Sequence, residues 1–259
     1  MQSAEKAAVD LITDLGDVVI TDELARRPMR IPDYELEQKA TSALIEELAE
    51  SPTTVLQRLC ALLVELRLAQ TAGVSLHEVE DHQLRWVAVA GEWAPHLGGV
   101  MPFGGSPCGA VMMRDKPMLF ARPHDHFPAA KVAPLIREIL LVPFRSGGKP
   151  VGTLWVMAHD NAKRFDAEDL RLLTSLAHVA SAAYRMNCTI AEVSRLQEEV
   201  TQDKLRKSEQ ALAADLAHAE QLRTLAEHLV TEESFDAIYD EVLSVTLAIA
   251  RADAGTIQV

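Results

Sequence analysis

The stretch Arg137–Asp160, REILLVPFRSGGKPVGTLWVMAHD, decides how the rest of the chain is read. Two apolar runs, Ile139 to Phe144 and Val151 to Met157, flank Ser146-Gly147-Gly148. A glycine pair between runs rich in Val, Leu and aromatics predicts a hairpin of two antiparallel central strands, because glycine tolerates the positive φ of a tight turn. Pro143 and Pro150 have no backbone donor, which places them at a bulge and at a strand start. Downstream, Asp166 precedes Glu168 and Asp169 and opens an apolar-periodic segment, Leu170, Leu173, Leu176, Val179 and Ala183. An acidic cap followed by a 3–4 spacing predicts a helix fed directly by the hairpin.

Working outward, Met118 to Ala121 predicts a short third strand. Thr71–Val79 and Leu84–Ala90, joined through Asp81-His82-Gln83, predict a first hairpin. Tyr34–Glu50 carries Leu36, Ala40, Ala43, Leu44 and Leu48 on one helical face, and Ser51-Pro52 stops it. A second helix, Thr54–Leu68, follows with Ser51 or Thr53 as cap. Gly91–Gly105, rich in Gly and Pro, reads as a long loop, and Ser106-Pro107 as the start of a helix reaching Met113. Before Tyr34 the chain reads as an arm, with a short helix at Ala4–Leu15 and a second capped at Thr21-Asp22-Glu23, and with a dimer contact as its expected use. The order of elements predicts an α+β fold, a central antiparallel sheet of five or six strands with helices on one face.

Composition narrows the function. The chain has 259 residues, a formal charge of -13 and 48% hydrophobic residues. That acidity argues against a nucleic-acid groove. No apolar run reaches the roughly 18 residues a membrane helix needs, and MQSAEKAAVD lacks a secretory signal's basic start and apolar core. Cys60, Cys108 and Cys188 form an odd, scattered set without CxxC, as in a reducing compartment. The expected location is the cytoplasm, with no membrane and no nucleic-acid partner.

Catalytic patterns are missing. There is no GxSxG, no phosphate-cradling Gly-Lys-Ser/Thr and no His-Glu-x-x-His. Glu46-Glu47, Glu168-Asp169 and Glu232-Glu233 fall on the solvated sides of helices. Cys108 sits at a helix N-terminus, where the macrodipole lowers a thiol pKa; a reactive thiol is weighed against a small buried residue. His124 and His126 would share one side of an extended segment and could meet a metal with His96, yet no further ligand stands at fixed spacing, and a solvated loop is the preferred reading. His178, His218 and His228 lie on helices without the neighbours of a phosphoacceptor histidine. No catalytic and no metal-binding residue is assigned.

Several short sequences resemble those of the GAF domain family: Ala72-Gly73-Val74-Ser75-Leu76, Gly105-Ser106-Pro107-Cys108-Gly109, Lys116-Pro117-Met118-Leu119-Phe120, and the paired strands LLVPF and VGTLWVMAHD followed by RFDAEDLRLLTSLA. The likeness covers residues 34–187 and is nearest to the N-terminal GAF modules of bacterial sensor histidine kinases. It implies a sheet with a helical layer on one face and a ligand pocket on the other. Some GAF domains attach a bilin through a cysteine followed by histidine; here Gly109 follows Cys108, which speaks against such attachment. The pocket's expected contacts are Trp86, Trp93, Phe103, Ser106, Cys108, Phe120, Arg122, His124 and Trp155. Arg85 is a further polar candidate, and the cofactor is unknown.

From Asp166 to Glu227 there is neither proline nor glycine. Good helix formers fill the segment, and apolar residues recur at three and four with interruptions, among them the step of five from Val200 to Leu205. This predicts one long helix, with 188–221 a coiled-coil linker that a second copy covers, giving a homodimer. Residues 222–259 resemble the start of a truncated second GAF domain, Ala254-Gly255-Thr256-Ile257 echoing AGVSL. The function expected is a non-catalytic input region of a signalling protein, a sensor histidine kinase or alternatively a diguanylate cyclase, that binds a small molecule or senses redox state. A ligand-free structural spacer is the competing reading.

Overall fold

A computed structural model describes residues 15–231, 239–240 and 242–246. The proposed helix at Ala4–Leu15 and most of the proposed second domain lie outside the described residues. The chain divides into two compact units, residues 1–190 and 191–259.

In the first unit, helices α1 (Tyr34–Glu50) and α2 (Val55–Glu65) precede strands β1 (Thr71–Glu78), β2 (Gln83–Gly91) and β3 (Val100–Pro102). Helix α3 (Pro107–Arg114), strand β4 (Met118–Ala121), the hairpin β5 (Glu138–Ser146) and β6 (Lys149–Ala158), and helix α4 (Ala167–Thr231) follow. The six strands form one antiparallel sheet in the order β3-β2-β1-β6-β5-β4. The quoted hairpin is therefore in place: Glu138 lies opposite Ala158, the register runs to Ser146 opposite Lys149, and it shifts between Phe144 and Arg145. β4 reaches only from Met118, opposite Leu141, to Ala121, opposite Glu138. Pro143 thus lies past the end of β4, with a strand neighbour on one side alone.

The structure departs from the sequence expectation at three points. β3 was expected to be loop; its three residues pair with Gln83–Arg85 and add the sixth strand. α2 ends at Glu65, short of Leu68, because Arg67 adopts φ 55° and turns the chain toward β1. No side-chain oxygen of Ser51 or Thr53 caps α2, and Thr54 stands at the cap position instead. α1 keeps its predicted bounds, and Asp33 accepts the Leu36 N–H at 3.0 Å.

Strand alternation divides the apolar residues into two cores. On one face Val74, Ala88, Leu140, Val142, Leu154 and Val156 pack with Leu59 and Leu63 of α2 and Leu173, Leu176, Ala180 and Ala183 of α4. On the other, Trp86, Leu141, Trp155 and Met157 pack with α3 and the loops after β2 and β4. Gly73 is required by this second face: a Cβ there would sit 2.1 Å from Cζ2 of Trp155.

The start of α4 is capped reciprocally. Asp166 Oδ1 accepts the N–H groups of Glu168 and Asp169 at 2.8 and 3.0 Å, and Asp169 Oδ2 accepts that of Asp166 at 3.1 Å. This is the acidic cap the sequence predicted, and it satisfies donors that no helical carbonyl can reach. Burial alone would raise the Asp166 carboxyl, but N–H donors from Arg30, Asp169 and Glu168 outweigh it and hold the group below the usual carboxylate range. Glu168 and Asp169, expected on a solvated helix side, are instead buried in this cap, 3% and 6% exposed, and Asp169 is raised by burial that Lys163 and Arg30 only partly offset.

The expected arm is tied to this cap and to the sheet edge. Val19 bridges Phe120, and Ile20 N–H donates to Leu119 O at 2.8 Å. Arg27 donates to both carboxylate oxygens of Glu138, at 2.8 and 2.9 Å, and to Phe165 O at 2.7 Å. Both side chains are nearly buried, 12% and 8% exposed. A two-pronged, charge-assisted contact of this kind fixes position as well as distance.

Candidate functional site

The face of the sheet away from α1, α2 and α4 holds most of the residues expected around a pocket. Trp86 on β2, Trp155 on β6 and Trp93 in the following loop form a triangle, with ring centroids 5.4 Å (Trp86–Trp93), 6.4 Å (Trp86–Trp155) and 6.4 Å (Trp93–Trp155) apart. These are the spacings at which aromatic rings attract through their quadrupoles. Each fully buried indole N–H has an acceptor: Trp155 Nε1 donates to Ser75 Oγ at 2.8 Å and Trp93 Nε1 to Pro134 O at 3.0 Å.

Cys108 closes the space between the triangle and α3. Its Sγ lies 3.6 Å from Ser75 Oγ, and the side chain is buried. The expectation from the helix dipole was a lowered thiol pKa; burial instead pushes the Cys108 thiol up, with Thr153 and Ser75 tempering the rise. Thr153 Oγ1 is itself buried without a hydrogen-bond partner of ordinary geometry among the described residues. The outcome is a small polar group in an apolar wall, poorly suited to act as a thiolate. Gly109 cannot be replaced by the histidine of a bilin-type site, since a Cβ there would lie 1.8 Å from Phe103 O.

Ser106, fully buried, serves α3 as its cap, its Oγ accepting Gly109 N–H at 3.2 Å. Phe103 stacks on His77 at 4.3 Å, and Phe120 meets Phe127 edge-on at 6.1 Å. Trp86, Trp93, Cys108 and Trp155 share one cavity with Met101, Ile136 and Ile139, and its volume is about 10 Å³. That is room for about one water molecule. The expected pocket is thus filled by its own aromatic walls.

Two expected polar contacts fall elsewhere. Arg122, at φ 43°, turns its side chain to solvent and pairs with Asp125 at 3.2 Å. His124 lies in a 3-10 turn, Pro123–Asp125, so it and His126 are not two apart on an extended strand and do not share one side. Among the described residues no group of three His, Cys, Asp or Glu is placed to hold a metal. Arg85 is held by Glu78 on β1, with Nη2 3.0 Å from Oε2. Ser75 and Thr153 were not expected at the site; a hydroxyl on the inward side of an otherwise apolar strand is the signal that marks them.

The helical layer encloses a different space. A cavity of about 60 Å³ lies among Leu36, Leu44, Leu59, Leu63 and Leu176, with Arg30 and Glu37 near its rim. It is larger than the space inside the tryptophan triangle.

A twisted six-stranded sheet, sealed by helices on one side and by aromatic side chains and loops on the other, defines an α+β domain with a core on each face of the sheet. The family model of the GAF domain matches residues 49–184, more than half of the chain, and the chain belongs to that family. Among solved structures it is similar to the GAF domain of a phosphoenolpyruvate-protein phosphotransferase from Coxiella burnetii, at 20% identity and a TM-score of 0.53, over 62% of this chain and 99% of that one. The corresponding GAF domain from Acinetobacter gives 14% identity and a TM-score of 0.53, over 62% and 98%. Free methionine-R-sulfoxide reductase from Neisseria meningitidis, in complex with its substrate, gives 21% and 0.50, over 61% and 94%. At these identities the likeness is one of fold. No curated protein matches the chain. Among the described residues no helix is long and apolar enough to cross a membrane.

Proposed function

We propose that this chain is a non-catalytic sensory input region of a cytoplasmic bacterial signalling protein, with a sensor histidine kinase as the full assembly and a diguanylate cyclase as the alternative. The carrying observation is α4, one helix of 65 residues from Ala167 to Thr231. Its first turns seal the sheet through Leu173, Leu176, Ala180 and Ala183. Further along, Met186, Ile190, Val193, Leu196 and Val200 recur at four, three, three and four, and all are exposed. A stripe of that spacing is what a parallel partner helix covers, and a second copy of this chain is the simplest partner. The stimulus would act on the tryptophan face, where a small molecule must displace aromatic side chains to enter. Redox sensing by Cys108 is the weaker form of the proposal, because burial disfavours its thiolate.

Crosslinking of single-cysteine variants between Ile190 and Leu216 tests the dimer; intermolecular products at the exposed apolar positions are expected, and their absence at all of them refutes it. A thermal-shift series with cyclic nucleotides, haem, biliverdin and small acids tests the ligand. Binding at a hundred times the dissociation constant adds about 2.7 kcal/mol. A dimer that no compound stabilises would favour the reading as a structural spacer.

A further inference from the structure

On the helical side of the sheet, away from the tryptophan face, there is a second feature. β4 stops at Met118, opposite Leu141, so the segment of β5 beyond it has no strand neighbour on that side. Across from it α4 presents Thr174, His178, Ser181 and Arg185, positions spaced four, three and four apart and therefore on one face of the helix. Between strand and helix lies a cleft of about 420 Å³, lined by these residues together with Pro117 and Val142–Arg145. The volume falls within the range of small-molecule sites, roughly 300–1,000 Å³.

The chemistry of the lining has one sign. Its floor is apolar, with Val142, Phe144 and Ala177 buried. Its ionisable residues are Arg145, His178 and Arg185, and no carboxylate is among the lining residues, in a chain whose net charge is -13. Arg145 is anchored, its Nη2 2.7 Å from Asp115 Oδ1, and its backbone N–H donates to Ser181 Oγ at 3.3 Å. The hydroxyls of Thr174 and Ser181 are spent on the carbonyls of Leu170 and Ala177. Among the described residues the side chains of His178 and Arg185 have neither ion pair nor hydrogen bond. An open guanidinium fork above an apolar floor matches a carboxylate or phosphate group carried on a small apolar body.

We infer that the cleft between the free segment of β5 and the Thr174–Arg185 face of α4 binds a small organic anion, a carboxylate or phosphate monoester with a flat apolar body. The apolar part lies on Phe144 and Val142, and the anionic group meets Arg185 and His178. The site is independent of the tryptophan face and of the reading given above for it.

The test uses the whole chain and four probes: benzoate, phenyl phosphate, inorganic phosphate and uncharged benzamide, each titrated by calorimetry. Benzoate or phenyl phosphate should bind saturably, the stronger of the two naming the anionic group, and benzamide and inorganic phosphate should bind at least about tenfold more weakly. Arg185→Glu should weaken the better probe by about tenfold or more, and Arg185→Gln by about fivefold. Arg164→Gln, at an exposed position outside the cleft, should leave it unchanged. Helical content and tryptophan emission identical to the parent establish that each variant is folded, and Arg185→Gln stands in where charge reversal disturbs the helix. The inference is overturned if benzamide or bare phosphate binds as well as the better probe, if folded Arg185 variants bind as the parent does, or if neither organic anion binds.

Discussion

The pair Arg27–Glu138 gives the sharpest stability prediction. Glu138 belongs to β5, and among the described residues it has, apart from Arg27, one further donor, the Phe165 N–H at 3.3 Å. Replacing Arg27 by Met keeps the stem's volume and removes the guanidinium, leaving a carboxylate under the arm without its counter-charge. Breaking one side of a buried pair costs about 3–5 kcal/mol. Arg27 is 12% exposed, so water can reach part of the gap, and the low end, about 3 kcal/mol, is expected. With a urea slope near 2 kcal/mol/M for a domain of this size, the midpoint should fall by about 1.5 M. The three tryptophans all sit in the packed sheet face, so their emission reports the unfolding of this unit alone. Glu138→Leu combined with Arg27→Met removes both charges, and such replacements are often close to neutral. The double variant should therefore recover most of what the single variant loses. A single variant that costs less than about 1 kcal/mol, or a double variant as unstable as the sum of its parts, would refute the view that the arm is held by this pair.

Gly73→Ala should destabilise by about 2–3 kcal/mol in the same titration, because the new methyl meets a tryptophan ring with no free space to move into; a loss below about 0.5 kcal/mol would show that Trp155 can yield. Thiol labelling of the native protein should modify Cys188, which is exposed, well before Cys60 or Cys108, whose thiols burial holds protonated. Labelling of Cys108 at the rate of Cys188 would contradict the packing around Ser75. Acid sensitivity should be changed by Asp166→Asn. A carboxyl held below its unfolded value, about 3.9, contributes stability above that pH and loses it as acid titrates the folded form. Asp169, raised by burial, contributes with the opposite sign, its charged form costing stability that protonation returns. The variant should therefore show a shallower loss of stability than the parent as pH falls from about 4 toward 2; parallel acid limbs would remove Asp166 from the account.

Local pattern carried much of the fold. α1, β4 and the central hairpin follow from spacing, glycine and caps within a few residues of one another, and the Asp166 cap was legible because its donors are its own neighbours. β3 was not legible: three residues including Pro102, set among glycines, show no alternation, and only pairing with Gln83–Arg85 makes them a strand. The end of α2 depends on one left-handed residue, Arg67, for which arginine gives no sequence signal. At the candidate site the residue types were readable and their arrangement was not. Trp86, Trp93 and Trp155 come from three separate segments, and whether aromatic walls enclose a space or fill it is decided by packing across the sheet. His124 and His126 were placed on one side by assuming an extended chain, although Pro123 favours the first position of the helical turn that forms there.

The same alternation that splits the core also limits how the two faces can act on each other. Along β6, Leu154 and Val156 pack with the helices while Trp155 and Met157 pack in the tryptophan face, and along β5 Leu140 and Val142 alternate with Ile139 and Leu141 in the same way. A ligand entering the tryptophan face has about 10 Å³ available and must push Trp93 or Trp155 aside. Trp155 is pinned by Ser75 and backed by Gly73, so its displacement moves the β1–β6 ladder itself. The first turns of α4 rest on the opposite side of those strands. Close-packed layers transmit a shift rather than absorb it, so Trp155, where a ligand displaces it, is joined by one strand to the helix proposed to carry the signal. A ligand seated by displacing Trp93 alone, whose indole is tied to the loop carbonyl of Pro134 rather than to a strand, would leave α4 unmoved. Trp155→Phe should accordingly alter binding and weaken any ligand-dependent change along α4 together, whereas Trp93→Phe should alter binding and leave that change intact.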